Sequence, residues 1–197
     1  MKRTWMVAMA AAAAACAGGQ DKLTVVLIDS AGTPREVLLS ATDKARQALR
    51  TAGLESEWVL CSDCVLPPAG TYALMKIVPA RFGAAQGSED LGRAVPCPAA
   101  QRCATSWAFY GPIQEFAGKV AQPVDSVLGY VMVHEIGHLM GLRHDWSGFM
   151  KAGLEKRDLL DAAAGRSGFP AYAVKKIHAT VAIWTAQTAA AGAREGM

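Results

Sequence analysis

A large excess of either charge is missing from this sequence. Its 197 residues carry 20 lysines and arginines against 17 aspartates and glutamates, a formal net charge of +3. Once Lys2 and Arg3 are set aside with the N-terminal leader described below, 18 basic residues face 17 acidic ones. The basic residues are scattered and do not interleave with aromatics, so no electrostatic case for nucleic acid or an anionic membrane arises. Long apolar runs are missing as well. Trp5 to Ala15 is too short to span a bilayer and stay there, and no later run is long enough, so no transmembrane helix is expected. Internal repeats are absent. The 52% hydrophobic content includes many alanines, which makes the core poorer than that figure implies. The length fits one domain. Histidine is scarce, with four in the chain, and three of those fall between positions 134 and 144.

The N-terminus reads as a leader. Lys2 and Arg3 supply the charged start, Trp5 to Ala15 the apolar stretch, and Ala15-Cys16-Ala17 an A-x-A-like site. Residues 1–17 are therefore expected to be a signal peptide, and 18–197 a secreted or periplasmic single domain. Lipid anchoring at Cys16 and an uncleaved helix are the alternatives. Cys61, Cys64, Cys97 and Cys103 then remain, an even number that favours disulfides in an exported chain. Their connectivity stays open. Cys61-Ser62-Asp63-Cys64 also suits a redox motif or half a zinc site, although no thioredoxin-like context or second close pair accompanies it.

The richest stretch is His134-Glu135-Ile136-Gly137-His138-Leu139-Met140-Gly141-Leu142-Arg143-His144-Asp145. Residues four apart share a helix face, so His134 and His138 can address one ion, with Glu135 bordering the same site. In the H-E-x-x-H arrangement two histidines bind Zn2+ and the glutamate acts as general base. A helix continued past His138 would carry His144 away. Gly141 can adopt the left-handed conformation that ends a helix, letting the chain turn and bring His144 back as third ligand. Three protein ligands leave the fourth zinc position open, as catalysis requires. Glu155 is a rival third ligand, otherwise a carboxylate opening a helix. His178 reads as an ordinary surface or helix histidine.

Around this stretch the pattern predicts strands at Leu23–Ile28, Glu57–Cys61, Tyr72–Val78 and Ser106–Tyr110, and a short one at Gly92–Val95. Helices are expected over Thr42–Ala52, capped by Gly53, and up to about Met140 from an N-cap at Asp125 or Ser126. Two more are expected over Leu154–Ala164 and Pro170–Ala190, the last packing through Tyr172, Ile177, Val181 and Trp184. Ile113–Val120 suits strand or helix.

The long form H-E-x-x-H-x-x-G-x-x-H resembles the zinc-binding motif of the metzincin metallopeptidases. The likeness is specific over about Ser126–Met150 and topological upstream. It implies an α+β fold, a twisted mixed sheet over an active-site helix, with an N-terminal part to about 141 and a small helical C-terminal subdomain from about 142. Asp145 is similar to the adamalysin-type version, where it implies an anchor for the Met-turn region; a plain loop carboxylate is the alternative. Ser147-Gly148-Phe149-Met150 resembles the Met-turn itself, at a spacing nearer the matrixin one. Some metzincins carry a tyrosine two residues later; here Ala152 stands there. The family's substrate-binding edge strand maps onto Gly92, Arg93 and Ala94.

The function implied is an exported zinc endopeptidase acting on a protein or peptide substrate, with Glu135 moving the proton. A separate protein inhibitor is one way to restrain it, since no propeptide is evident. A non-catalytic zinc-stabilised binding or adhesion module is the alternative, as is a narrow peptidase for one cell-wall peptide or partner.

Overall fold

The computed structural model describes residues 22–61, 72–83, 89–95 and 104–195. The leader, with Cys16, and Cys64, Cys97 and Cys103 lie outside the described residues.

The β-branched run near the start forms β1 (Lys22–Asp29), an interior strand of one sheet. β2 (Glu55–Leu60) and β3 (Ala73–Val78) flank it in parallel, and β5 (Thr105–Phe109) continues the parallel set beyond β3. β4 (Gly92–Val95) pairs antiparallel with β5 and closes the sheet in the order β2-β1-β3-β5-β4. The sheet is thus mixed and mostly parallel. One face carries the main core: Leu23, Val25 and Leu27 of β1 and Met75 and Ile77 of β3 pack with residues from all the helices. Among the described residues, the other face buries a small cluster around Val26, Cys61 and Leu74.

Helix α1 (Arg35–Thr51) begins seven residues before the expected start at Thr42. Pro34 opens it, and Leu38, Ala41, Ala45, Ala48 and Leu49 make one continuous buried stripe, so packing fixes the extra turns. Gly53, at φ +72°, ends it as expected. The ambiguous Ile113–Val120 is helical. α2 (Tyr110–Val120) follows β5 without a loop, and Pro112 is tolerated because it falls in the first turn.

The apolar helix α3 (Val124–Leu139) lies across the core face of the sheet, packed closely on α1. A Cβ on Gly129 would stand 2.9 Å from the Ala41 carbonyl oxygen, so only glycine allows this approach. Neither Asp125 nor Ser126 caps α3; Pro123 holds the N-cap position with no side-chain bond. Asp125 instead accepts hydrogen bonds from Ser40 and Lys44 of α1, which ties the two helices together.

After a 3-10 turn at Gly148–Met150, α4 (Lys156–Ala163) and α5 (Ala171–Glu195) complete the chain. Ile177 and Val181 are buried and Trp184 packs on the core, but Tyr172 projects outward at 58% exposure. Among the described residues no helix is long and apolar enough to cross a membrane.

Candidate metal centre

The end of α3 builds the site. Gly141 takes φ +78°. Its N–H donates to the His138 carbonyl at 2.9 Å, and the Leu142 N–H donates to the Gly137 carbonyl at 3.0 Å. These are the two bonds of a Schellman motif, closed by burial of Leu142. The same turn serves the ligands. The Leu142 carbonyl accepts the Nδ1–H of His138 at 3.0 Å, and the chain leaving the turn carries His144 back to α3.

His134 is fixed by the following 3-10 turn. Its Nδ1 donates to the Phe149 carbonyl at 2.7 Å. The sulfur of Met150 fills the place where a Cβ on Gly137 would stand, directly under the helix between the two histidines. Tyr130, one helical turn before His134, donates its hydroxyl to the Gly148 carbonyl at 2.7 Å. The turn also joins the third-ligand loop, because the Asp145 N–H donates to the Met150 carbonyl at 2.8 Å. The Asp145 carboxylate accepts from the Trp146 N–H and from the Tyr172 hydroxyl of α5.

A carbonyl can only accept, so His134 and His138 hold their protons on Nδ1 and turn bare Nε2 lone pairs inward. The Nε2 of His138 lies 3.1 Å from that of His134 and 3.1 Å from that of His144. Bare nitrogens at that distance repel each other unless a cation lies between them. Tetrahedral zinc with Zn–N bonds of about 2.0–2.1 Å holds its ligands about 3.3 Å apart, so the three imidazoles fit one such ion. Burial lowers the pKa of His134 to about 4 and lowers that of His138, which keeps both neutral and ready to ligate.

Glu135 is 5% exposed. Burial raises its pKa to about 8; the charge of Asp90 adds to the rise and that of Arg93 opposes it. The carboxylate rests on Gly92 of β4. A cavity of about 390 Å³ opens beside Glu135 and His134, lined by Leu91, Phe116, Tyr130, Ala152 and Leu154 among others. β4 borders it as the last strand of the sheet among the described residues, and of the three expected strand residues Gly92 lines the cleft while Arg93 and Ala94 follow it along β4.

Among the described residues, the expected His134, His138, His144 and Glu135 are brought together, with Gly141 and Met150 beneath them. Glu155 stands apart from this group: it is the N-cap of α4, and its N–H donates to the Asp158 carboxylate at 2.8 Å. His178 is not an idle surface group, since its Nε2 bonds the Ala52 carbonyl at 2.9 Å. Nothing in the sequence pattern points to the parts played by Tyr130, Tyr172 or the Phe149 and Leu142 carbonyls. Backbone acceptors carry no residue signature, and Tyr172 reaches Asp145 across 27 positions.

No protein-family model matches the sequence, and no curated protein matches it either. Solved structures do resemble the fold. Metalloproteinase-II from Bacteroides fragilis superposes with a TM-score of 0.54 at 11% identity, over 82% of this chain and 54% of that one. This chain therefore spans about half the length of that protein. A zinc-dependent peptidase from Methanocorpusculum labreanum gives 0.52 at 14% identity, over 78% of this chain and 99% of that one. The archaemetzincin from Methanopyrus kandleri gives 0.52 at 14% identity, over 84% and 98%. At these identities the likeness is one of fold.

Proposed function

We propose that this chain is an exported zinc endopeptidase of metzincin type, with Glu135 as its general base. The observation that carries this reading is the convergence of three imidazole Nε2 atoms, two of them held bare by their Nδ1–carbonyl bonds, beside a buried carboxylate that borders an open cleft. The fold likeness to proteins described as a metalloproteinase and a zinc-dependent peptidase supports it. The intact Glu135 disfavours a merely structural zinc site, which needs no such group.

His134, His138 and His144 would hold the zinc ion, which would supply the Lewis acidity to polarise a peptide carbonyl and to activate water near neutral pH. The protein's own residues then handle binding and the proton. β4 presents its outer edge, along Gly92, Arg93 and Ala94, to a substrate strand, and the neighbouring cavity receives a side chain. Glu135 accepts the proton of the attacking water and returns it to the departing amine nitrogen. Burial pushes the Glu135 pKa up and a nearby cation pulls it down, so the carboxyl can both take and give a proton near neutral pH. Met150 under Gly137 serves as the Met-turn methionine of the compact matrixin kind, and Asp145 as the adamalysin-like aspartate.

The leader-like Met1–Gly19 and the even number of cysteines after it support export. A separate protein inhibitor or the chain's own loops would restrain the enzyme.

The test is digestion of an unbiased peptide library by the zinc-loaded protein, run beside a chelated sample and Glu135→Gln. We expect chelator-sensitive cleavage, and a loss of at least about 10²-fold in Glu135→Gln with zinc retained. Cleavage that persists in Glu135→Gln removes the general-base role. A zinc-loaded protein that cuts nothing in the library removes the broad endopeptidase reading and leaves the narrow peptidase and the binding module.

A further inference from the structure

Gly92 is the first residue of β4, paired in register with Ala108 of β5, and its φ is outside the left-handed region. Its backbone conformation therefore gives no reason for glycine. A glycine within a strand costs stability and marks a place where another group comes close. The group that comes close is Glu135. A Cβ on Gly92 would lie 2.6 Å from its Oε1, 2.9 Å from its Cδ and 2.9 Å from its Cγ. The conflict reaches down to Cγ, so a swing of the carboxylate tip alone does not relieve it. Glu135 is 5% exposed and sits on a helix, where few χ1 and χ2 wells are open to it.

We infer that Gly92 is a positioning residue for Glu135: the missing side chain is the space that seats the carboxylate against β4. The placement itself is a matter of packing. Its catalytic consequence rests on the reading of Glu135 as general base. A side chain at position 92 moves the carboxylate off its line to the histidines while leaving all three imidazoles in place. The role is separate from lining a substrate strand, because the contact is intramolecular and exists with the cleft empty.

A double-mutant cycle on the full chain, melted without metal, tests the packing alone. Gly92→Ala is expected to lower Tm by about 2–10 °C. In the Glu135→Ala background the same change should cost little or nothing, because the space is then free. A Gly92→Ala protein that fails to fold, beside a double variant that folds, gives the same answer. Additive effects overturn the inference. The kinetic arm uses the zinc-loaded protein. Gly92→Ala should keep its zinc and lose about 10²-fold in kcat, with any rise in KM much smaller than that loss. The loss should be smaller in the Glu135→Asp background, where the shorter side chain clears the new methyl. A raised KM with kcat unchanged would show that Gly92 contacts substrate instead. Coupled melting with no hydrolysis by any variant keeps the positioning claim and removes the broad endopeptidase reading.

Discussion

The hydroxyl of Tyr172 donates to the carboxylate of Asp145, the residue directly after the third imidazole. That hydrogen bond and the Trp146 N–H hold the Asp145 carboxyl below its usual range, so it stays an anion and a strong acceptor. The His144 loop is thus fastened twice, by the Asp145 backbone to the Met150 carbonyl and by its side chain to α5. The family resemblance implies that Asp145 serves the methionine turn. In the structure its backbone serves the turn and its side chain serves the last helix. Tyr172→Phe removes one hydroxyl and keeps the ring. Partners behind a metal ligand are typically worth about 10–100-fold in affinity, and this one acts one residue away from the imidazole. We therefore expect Tyr172→Phe to weaken zinc binding about 10-fold, read by competition with a chromophoric chelator. Unchanged affinity would show that the backbone fastening suffices.

Among the elements, α5 has the least obvious work. Lys176 donates to the Gly141 carbonyl, Thr180 to the Met140 carbonyl at 3.2 Å, and His178 bonds the Ala52 carbonyl at 2.9 Å. Met140 and Ala52 are the C-caps of α3 and α1, so one helix satisfies the orphan carbonyls of two others. Removing both donors to the ligand-bearing helix, in Lys176→Met with Thr180→Val, should cost about 1–3 kcal/mol, measured by urea unfolding. A loss confined to a few tenths would mean that water replaces both. The body of this arrangement was legible in sequence: Gly53 and Gly141 marked the helix ends, and Ile177 and Val181 the buried face of α5. The starts were less legible. α1 runs two turns earlier than expected, because tertiary burial of Leu38 and Ala41 outweighs a weak local signal. α3 begins at Val124 without a side-chain cap, because Asp125 is used by Ser40 and Lys44, a pairing 85 and 81 residues distant. Local spacing cannot reveal such a competitor.

At the scale of the molecule, the strands were legible from short apolar, β-branched or aromatic stretches between turn residues, but their order was not. The order β2-β1-β3-β5-β4 depends on crossovers that leave no local trace. The motif was legible because helix geometry and one left-handed glycine fix it within a short span of chain. The fold likeness persists at 11–14% identity, as expected where layer packing and not particular side chains defines the architecture. The metal is the point where these layers meet. His134 and His138 belong to the helix lying on the sheet, while His144 belongs to a loop fastened to the 3-10 turn and to α5. An ion bound by all three should therefore stabilise the whole chain, not one loop. At free zinc about 1,000 times Kd, linkage adds about 4 kcal/mol, or about 8–16 °C in Tm for a chain of this size. Chelation should lower the melting temperature by that amount in a single cooperative transition. In His144→Ala, where the ion no longer joins helix to loop, most of the zinc-dependent shift should vanish. A full shift retained in His144→Ala would place the third ligand elsewhere.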